Sequence, residues 1–301
     1  MIILFDNKRL TECYNKALKN KDIIEIDDQT KIIFFSDCHR GDGSLSDEFT
    51  HNQNIFIYAL EDYLKNGYTY MELGDGDELW EYDKFEHIRI AHSDVFCVLK
   101  KYYEADKFYY FYGNHNAKFR NKKKADYALT CYFDEYTDEN TVLFPYIDVK
   151  ESMILRDKIT KKEILAVHGH QGDFPNDKGW ILSLVFMKIF WRYMHKVGFQ
   201  NPSSPSRNLV KRHKIEKNFS KWIRSKKIGI LCGHTHRPKL PDIDEAAYMN
   251  TGCCIHPRGI TGIELIGREF FLVHWNVVAD DKGFLSIKKK IMQGPYNFDQ
   301  M

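Results

Sequence analysis

The sequence predicts an α/β fold in which two mixed β-sheets pack face to face with helices on their outer sides, a four-layer α/β/β/α sandwich. Three observations carry that expectation. Strand-like and helix-like segments alternate through the first half of the chain, whereas the part after residue 228 is mostly strand. Several of the strand-like runs also stop abruptly in Asp, Asn or His, as open α/β sheets do where they place their chemistry.

The elements follow in order. Residues 8–20 have helical periodicity, and Lys31–Ser36 is a short β-branched and aromatic run that reads as a buried strand. Residues 48–65 are predicted helical, with Gly67 as the breaker, and Tyr68–Leu73 is the second strand. A helix over 84–101 leads to the strand Lys107–Tyr112, and a further helix is expected over 121–134. Segments 142–156 and 162–167 read as strands, and Ile228–Cys232 is the next. Ala246–Thr251, Thr261–Ile266, Phe270–Trp275 and Phe284–Lys289 complete a β-rich tail with short turns. No internal repeat interrupts this order.

Composition bounds the class. With 43% hydrophobic and 29% charged residues the chain is an ordinary globular protein, long enough at 301 residues for an ample core. The net charge of +2 hides an asymmetry: residues 37–94 hold 14 acids against 4 bases, and residues 207–227 hold 9 bases against Glu216 alone. A concentrated acidic region that must fold can be balanced by bound divalent cations, or can be a solvated face. The 7 cysteines are odd in number and lack Cys-x-x-Cys spacing, so they read as reduced thiols of a cytoplasmic protein. The N-terminal residues turn polar within six positions, so no signal peptide is expected from them.

The strand ends collect a chemical set. Asp37 and His39 follow the first strand at i, i+2 spacing, so their side chains share one side. Asp75 follows the second, between glycines that permit a tight turn, and Asn114 and His115 follow the third. His168 and His170 close the strand 162–167; His234 and His236 follow Ile228–Cys232. Taken singly, each histidine reads as packing and Asn114 as a turn residue. Together they read as ligands, since neutral imidazole is the commonest protein metal ligand.

The ordered blocks Asp-x-His, Gly-Asp, Gly-Asn-His, His-Gly-His and Gly-His-x-His, running over residues 37–236, resemble the calcineurin-like metallophosphoesterases. That resemblance implies a dinuclear metal centre. Asp37, His39 and His236 would hold one cation, Asn114, His168 and His234 the other, and Asp75 would bridge both. A hydroxide shared by the two cations would attack phosphorus, with His115 beside the leaving oxygen. Mn²⁺ is the expected metal, and Fe or Zn also suit such a mixed oxygen and nitrogen set. Arg40 would meet a substrate phosphate or pair with a nearby acid, and His170 would support the site from behind or serve the turn. The family carries an acid after Gly-Asn-His where this chain has Asn116. After Gly-Asp, either Asp77 or Glu78 must take the supporting role of the family's second Asp.

Residues 171–227 are a helical insertion, read as a cap within a single domain spanning 1–301. Residues 180–197 are nearly all apolar, with Lys188, Arg192, His195 and Lys196 on one narrow stripe. The insertion's placement resembles that of the UDP-diacylglucosamine pyrophosphatases. That resemblance implies a cap that receives acyl chains, and the residues themselves leave open a lid, an apolar-ligand site in which Lys188 and Arg192 contact substrate, or peripheral membrane contact through 180–197. The expected reaction is hydrolysis of a phosphodiester, phosphomonoester or pyrophosphate in a small or lipid-linked substrate. A protein phosphatase, a nuclease that tracks a phosphate backbone through the basic helix, and a non-catalytic metal-binding scaffold are the rival readings.

Overall fold

A computed structural model describes residues 7–134, 137–171 and 209–301. Numbering strands along the chain, one sheet runs β1 (Ile23–Ile26), β7 (Ser152–Asp157), β8 (Glu163–Val167), β9 (Gly229–Cys232), β10 (Tyr248–Asn250). The other runs β13 (Leu285–Asn297), β12 (Glu269–Ala279), β11 (Ile260–Ile266), β2 (Lys31–Phe35), β3 (Thr69–Glu72), β4 (Phe108–Tyr110). Both sheets are mixed: β8, β9 and β10 run parallel, as do β2, β3 and β4, whereas β7/β8 and the β11–β13 meander are antiparallel. A separate hairpin pairs β5 (Cys131–Asp134) with β6 (Glu139–Val142).

The layers follow from period-two alternation. On β2, Ile32 and Phe34 join one buried cluster, and Ile33 and Phe35 the other. The first cluster links them to Leu165 and Ile230 of the five-stranded sheet, and to Leu10 of α1 (Asn7–Asn20) and Phe219 of α6 (Leu209–Lys226). The second lies under α2 (Gln53–Lys65) and α4 (Ser93–Glu104), through Phe56, Leu60, Val95 and Leu99. Burying each such side chain contributes roughly 1.5–3 kcal/mol. The two sheets are thus enclosed by helices on both sides, which is the expected sandwich.

Local differences have local causes. The helix expected over 84–101 is two, α3 (Phe85–Ala91) and α4, broken at His92. There Nε2 meets Asp47 Oδ2 at 2.7 Å and Nδ1 meets Gln53 Oε1 at 2.5 Å, so tertiary contacts fix a non-helical backbone. The helix expected over 121–134 ends at Leu129 (α5, Lys122–Leu129), and the chain turns into the exposed β5–β6 hairpin. A 3-10 turn over Glu48–Asn52 precedes α2. Residues 142–156 divide into the end of β6, an irregular stretch and β7, and β1 was not expected at all.

Of the insertion, only α6 is described. Ile215, Phe219, Trp222 and Ile223 form its buried stripe, and Trp222 donates to Thr11 Oγ1 at 3.0 Å, while Lys214, Lys217, Lys221 and Arg224 face solvent. Residues 180–197, with Lys188 and Arg192, lie outside the described residues. Among those described, no helix is long and apolar enough to cross a membrane.

Candidate metal centre

Each strand end contributes its block to one cleft between the sheets. Asp37 and His39 leave β2, Asp75 leaves β3, and Asn114 and His115 follow β4; all belong to the six-stranded sheet. His168 leaves β8, and His234 and His236 leave β9, so the imidazoles on the far side come from the five-stranded sheet. The side chains gather in overlapping groups: Asp37, His39 and His236; His39, Asp75 and His115; Asp75, His168 and His234. Within each group the potential ligand atoms lie within 4.8 Å of one another. Asp75 touches both ends of the cluster, where a shared carboxylate is needed.

Asp37 Oδ1 faces three imidazole nitrogens, His236 Nε2 at 3.1 Å, His39 Nε2 at 3.8 Å and His168 Nε2 at 3.9 Å. His39 Nε2 and His236 Nε2 approach each other to 3.3 Å, and His168 Nε2 lies 2.9 Å from Asp75 Oδ2. Asn114 Oδ1 is buried without a hydrogen-bond donor among the described residues. An orphaned buried acceptor beside converging imidazoles and carboxylates is a donor set of the kind divalent cations take, so the residues fit a metal pair.

Electrostatics agree. Burial pushes the Asp75 carboxyl up, but His168 and His115 more than offset this and hold it well below the usual range. Asp37 is likewise lowered by His236 and His168 against the cost of burial. Burial lowers His236, yet Asp37 pushes it up to about 10. The carboxylates and imidazoles thus stabilise one another as charged pairs, and a cation binding among them would have to displace the imidazole protons.

The backbone is shaped to make this possible. Asp37, His39, Asp75, His234 and His236 all have positive φ, between 47° and 65°, a conformation that costs non-glycine residues about 1–3 kcal/mol each. Gly113 and Gly233 allow close approach: a Cβ on the first would lie 2.2 Å from Asp75 Oδ1, and on the second 2.3 Å from Asp37 Oδ2. Asp75 Oδ1 accepts the His115 N–H at 2.8 Å, and Asp37 Oδ2 accepts the His234 N–H at 2.8 Å. His168 donates through Nδ1 to the Leu73 carbonyl at 2.8 Å, which leaves Nε2 aimed at the cleft.

Glu78 and Asp77 divide the work that the sequence left between them. Glu78 Oε2 accepts from His39 Nδ1 at 2.9 Å and lies 2.6 Å from His115 Nδ1, off the axis of an in-line bond. Asp77 points away, to Arg40 Nε at 2.8 Å and to the Tyr110 hydroxyl. Arg40 itself is fully buried, its fork also bound to Glu72 at 2.6 and 2.7 Å. Of the two readings of Arg40, the structure shows the pairing with acids: each of its three nitrogens donates to one of two buried carboxylates. Asn116 is equally committed, accepting from the Gly113 N–H at 2.6 Å and donating to the Tyr110 hydroxyl at 3.3 Å. His170 is buried beside His168 and His234, ring centroids 5.4 and 6.4 Å away, and its Nδ1 has no hydrogen-bond partner among the described residues. Burial and its histidine neighbours push its pKa well down, so it stays neutral.

Trp80 was not anticipated. Its ring stacks on His115 at 4.2 Å with planes 22° apart, while His39 meets His115 edge-on at 4.5 Å. An aromatic five residues after Asp75 was the available signal, but it reads equally well as core.

No family model and no curated protein matches the chain. Among solved structures, vacuolar protein sorting 29 from Cryptosporidium parvum superposes with a TM-score of 0.39 at 12% identity, covering 89% of this chain and 100% of that one. A novel archaeal phosphodiesterase gives 0.33 at 14%, over 87% and 100% of the two chains. A mutant of a cold-active protein tyrosine phosphatase gives 0.41 at 10%, over 90% and 82%. At TM-scores this low the superpositions carry no argument about activity. The two-sheet sandwich and the convergence of the five blocks, observed directly, agree with the metallophosphoesterase resemblance.

Proposed function

We propose that the chain is a metal-dependent hydrolase of phosphate esters, acting on a phosphodiester, phosphomonoester or pyrophosphate bond of a small or lipid-linked molecule. What supports this above all is the meeting of two carboxylates and five imidazoles in one cluster, with the orphaned, buried Asn114 amide oxygen next in the chain to His115. Divalent cations held there, Mn²⁺ first and Fe or Zn as alternatives, would polarise phosphoryl oxygens and supply a nucleophile from water at neutral pH. Asp37, His39 and His236 would hold one, Asn114, His168 and His234 the other, with Asp75 between them.

The chain's own residues handle the leaving group. His115 stands at the edge of the cleft, anchored through its backbone N–H to Asp75, and is the most exposed imidazole of the group. It is the residue that can donate a proton to the departing oxygen, a contribution of about 10²–10⁴-fold. The odd count of seven cysteines supports a reducing, cytoplasmic setting.

The test is hydrolysis of bis-p-nitrophenyl phosphate beside p-nitrophenyl phosphate, with and without Mn²⁺. Turnover should require metal and fall about 10²–10⁴-fold in both Asp75→Asn and His115→Ala. The preferred ester distinguishes diesterase from monoesterase. A wild-type protein that binds two cations yet hydrolyses neither ester nor a pyrophosphate would overturn the reading in favour of a metal-binding scaffold.

A further inference from the structure

We propose that Arg258, Lys288 and Lys290 form a basic arm of the cleft, a subsite for a further phosphate of the substrate, remote from the one hydrolysed. The word substrate rests on the phosphoesterase reading; the anion site itself does not. Its position follows from the strand directions. β11 runs antiparallel to β2, β12 to β11 and β13 to β12, so the end of β12 and the start of β13 lie where Asp37 leaves β2. β11 pairs with β12 no further than Ile260–Trp275, whereas β12 and β13 stay paired to Ala279–Leu285. The ribbon therefore overreaches β11 on the cleft side by the residues from Asn276 to Ala279, about 13 Å.

Alternation assigns the two faces of this ribbon. Leu272 is buried in the filling between the sheets, and Val273 and Trp275 are buried under the helices. His274 and Asn276 thus face the inter-sheet side, and their cross-strand partners Lys290 and Lys288 share it. Lys289 points the other way, over the Tyr63 and Trp275 rings, and pairs with Glu264 at 2.6 Å. Lys288 and Lys290 are exposed and join no ion pair among the described residues, and the same holds for Arg258. The turn that carries Arg258 is pressed onto the same stretch of β12. At Gly259, where φ is 121°, a Cβ would lie 2.2 Å from the Trp275 carbonyl oxygen and 3.0 Å from both Asn276 Cβ and His274 Nε2. Three cations gathered on one face, with no acid among them, raise the local potential and attract an anion.

Distance selects the kind of anion. The Cys254 N–H donates to the Asp37 carbonyl and the Thr261 N–H to the Cys253 carbonyl, both at 3.2 Å. Thr261 then pairs with His274, and His274 with Lys290. Three strand-to-strand steps separate Asp37 from His274 and four separate it from Lys290, about 14 and 19 Å at the usual spacing. Neither a phosphomonoester nor the adjacent phosphoryl groups of a pyrophosphate bridge that span. A short phosphodiester chain, with a phosphate in every repeat, does. Lysines on an edge strand also deter sheet-to-sheet pairing, and that role alone would leave substrate length without effect.

The test measures release of p-nitrophenol from the 5′-esters of thymidylate and of di-, tri- and tetrathymidylate. It compares the wild type with Lys288→Glu/Lys290→Glu, Arg258→Ala and a control, Lys217→Glu/Lys221→Glu, on the solvent face of α6. Wild-type KM should fall about tenfold or more as the chain lengthens, and level off once the chain spans the arm. Its salt dependence should steepen by about 0.7 in logarithmic slope for each phosphate bound. The β13 double variant should lose the gain with length, Arg258→Ala should lose part of it, and the control should keep it. A wild-type KM indifferent to chain length, or a gain lost equally in the control, would overturn the subsite. If the wild type hydrolyses none of these esters, the phosphoesterase reading falls instead, and fluorescence anisotropy of a labelled tetrathymidylate still judges the arm. Binding weakened about tenfold by the β13 reversal and not by the control would uphold it, and equal binding by all would refute it.

Discussion

Three imidazole nitrogens crowd one oxygen of Asp37, and without a cation that carboxylate keeps protons on them. For His236, raised from 6.5 to about 10, the ion pair adds stability to the metal-free protein that is fully present below pH 6.5 and lost as pH rises through about 10. Metal binding runs the other way, because the cation must displace the proton. Affinity should fall as pH drops from 9 to 6, by up to about tenfold per unit for each proton released, as calorimetry in buffers of different ionisation enthalpy would register. An affinity flat in pH would contradict the arrangement. Arg40 makes a different residue-scale prediction. Removing it leaves Glu72 and Asp77 buried and unpaired, so Arg40→Met should cost about 3–5 kcal/mol in chemical denaturation, and Arg40→Lys should not restore a bidentate fork.

Strand ends, rather than strands, carry the specificity of the elements. Gly233→Ala puts a methyl group 2.3 Å from Asp37 Oδ2 and 2.0 Å from Ser36 Oγ, both buried and fixed. It should weaken cation binding at least about tenfold while costing about 1–3 kcal/mol in stability, which thermal melts with and without Mn²⁺ would separate. The same scale explains what the sequence made legible. β2, β3 and β9 were readable because each is an apolar run that ends in a ligand block, and the blocks locate themselves once the strands are placed. β1 was not, since Ile23-Ile24-Glu25-Ile26 is too short and charge-broken to separate from a loop, and β5 is a largely exposed hairpin without a buried face. The break at His92 comes from Asp47 and Gln53, forty residues away in sequence, so no local pattern could announce it. The choice between Asp77 and Glu78 was invisible for a related reason: adjacent acids differ in what they face, and that is a property of the turn.

At the scale of the whole molecule, the ligands divide between the two sheets. Each cation would be held from both: one by Asp37 and His39 across from His236, the other by Asn114 across from His168 and His234. Binding to the folded state alone should therefore raise the melting temperature, with about 2.7 kcal/mol of added stability at a hundredfold excess over Kd, and chelation should remove it. A melting temperature indifferent to both Mn²⁺ and chelator would refute the site. The division between sheets also makes the cleft a gauge. Its two jaws belong to separate slabs whose spacing is fixed by Phe34, Met71 and Leu165 in the apolar filling between them. A methylene removed or added there shifts one jaw against the other without touching a ligand, so cation affinity becomes a ruler for the interior of the protein.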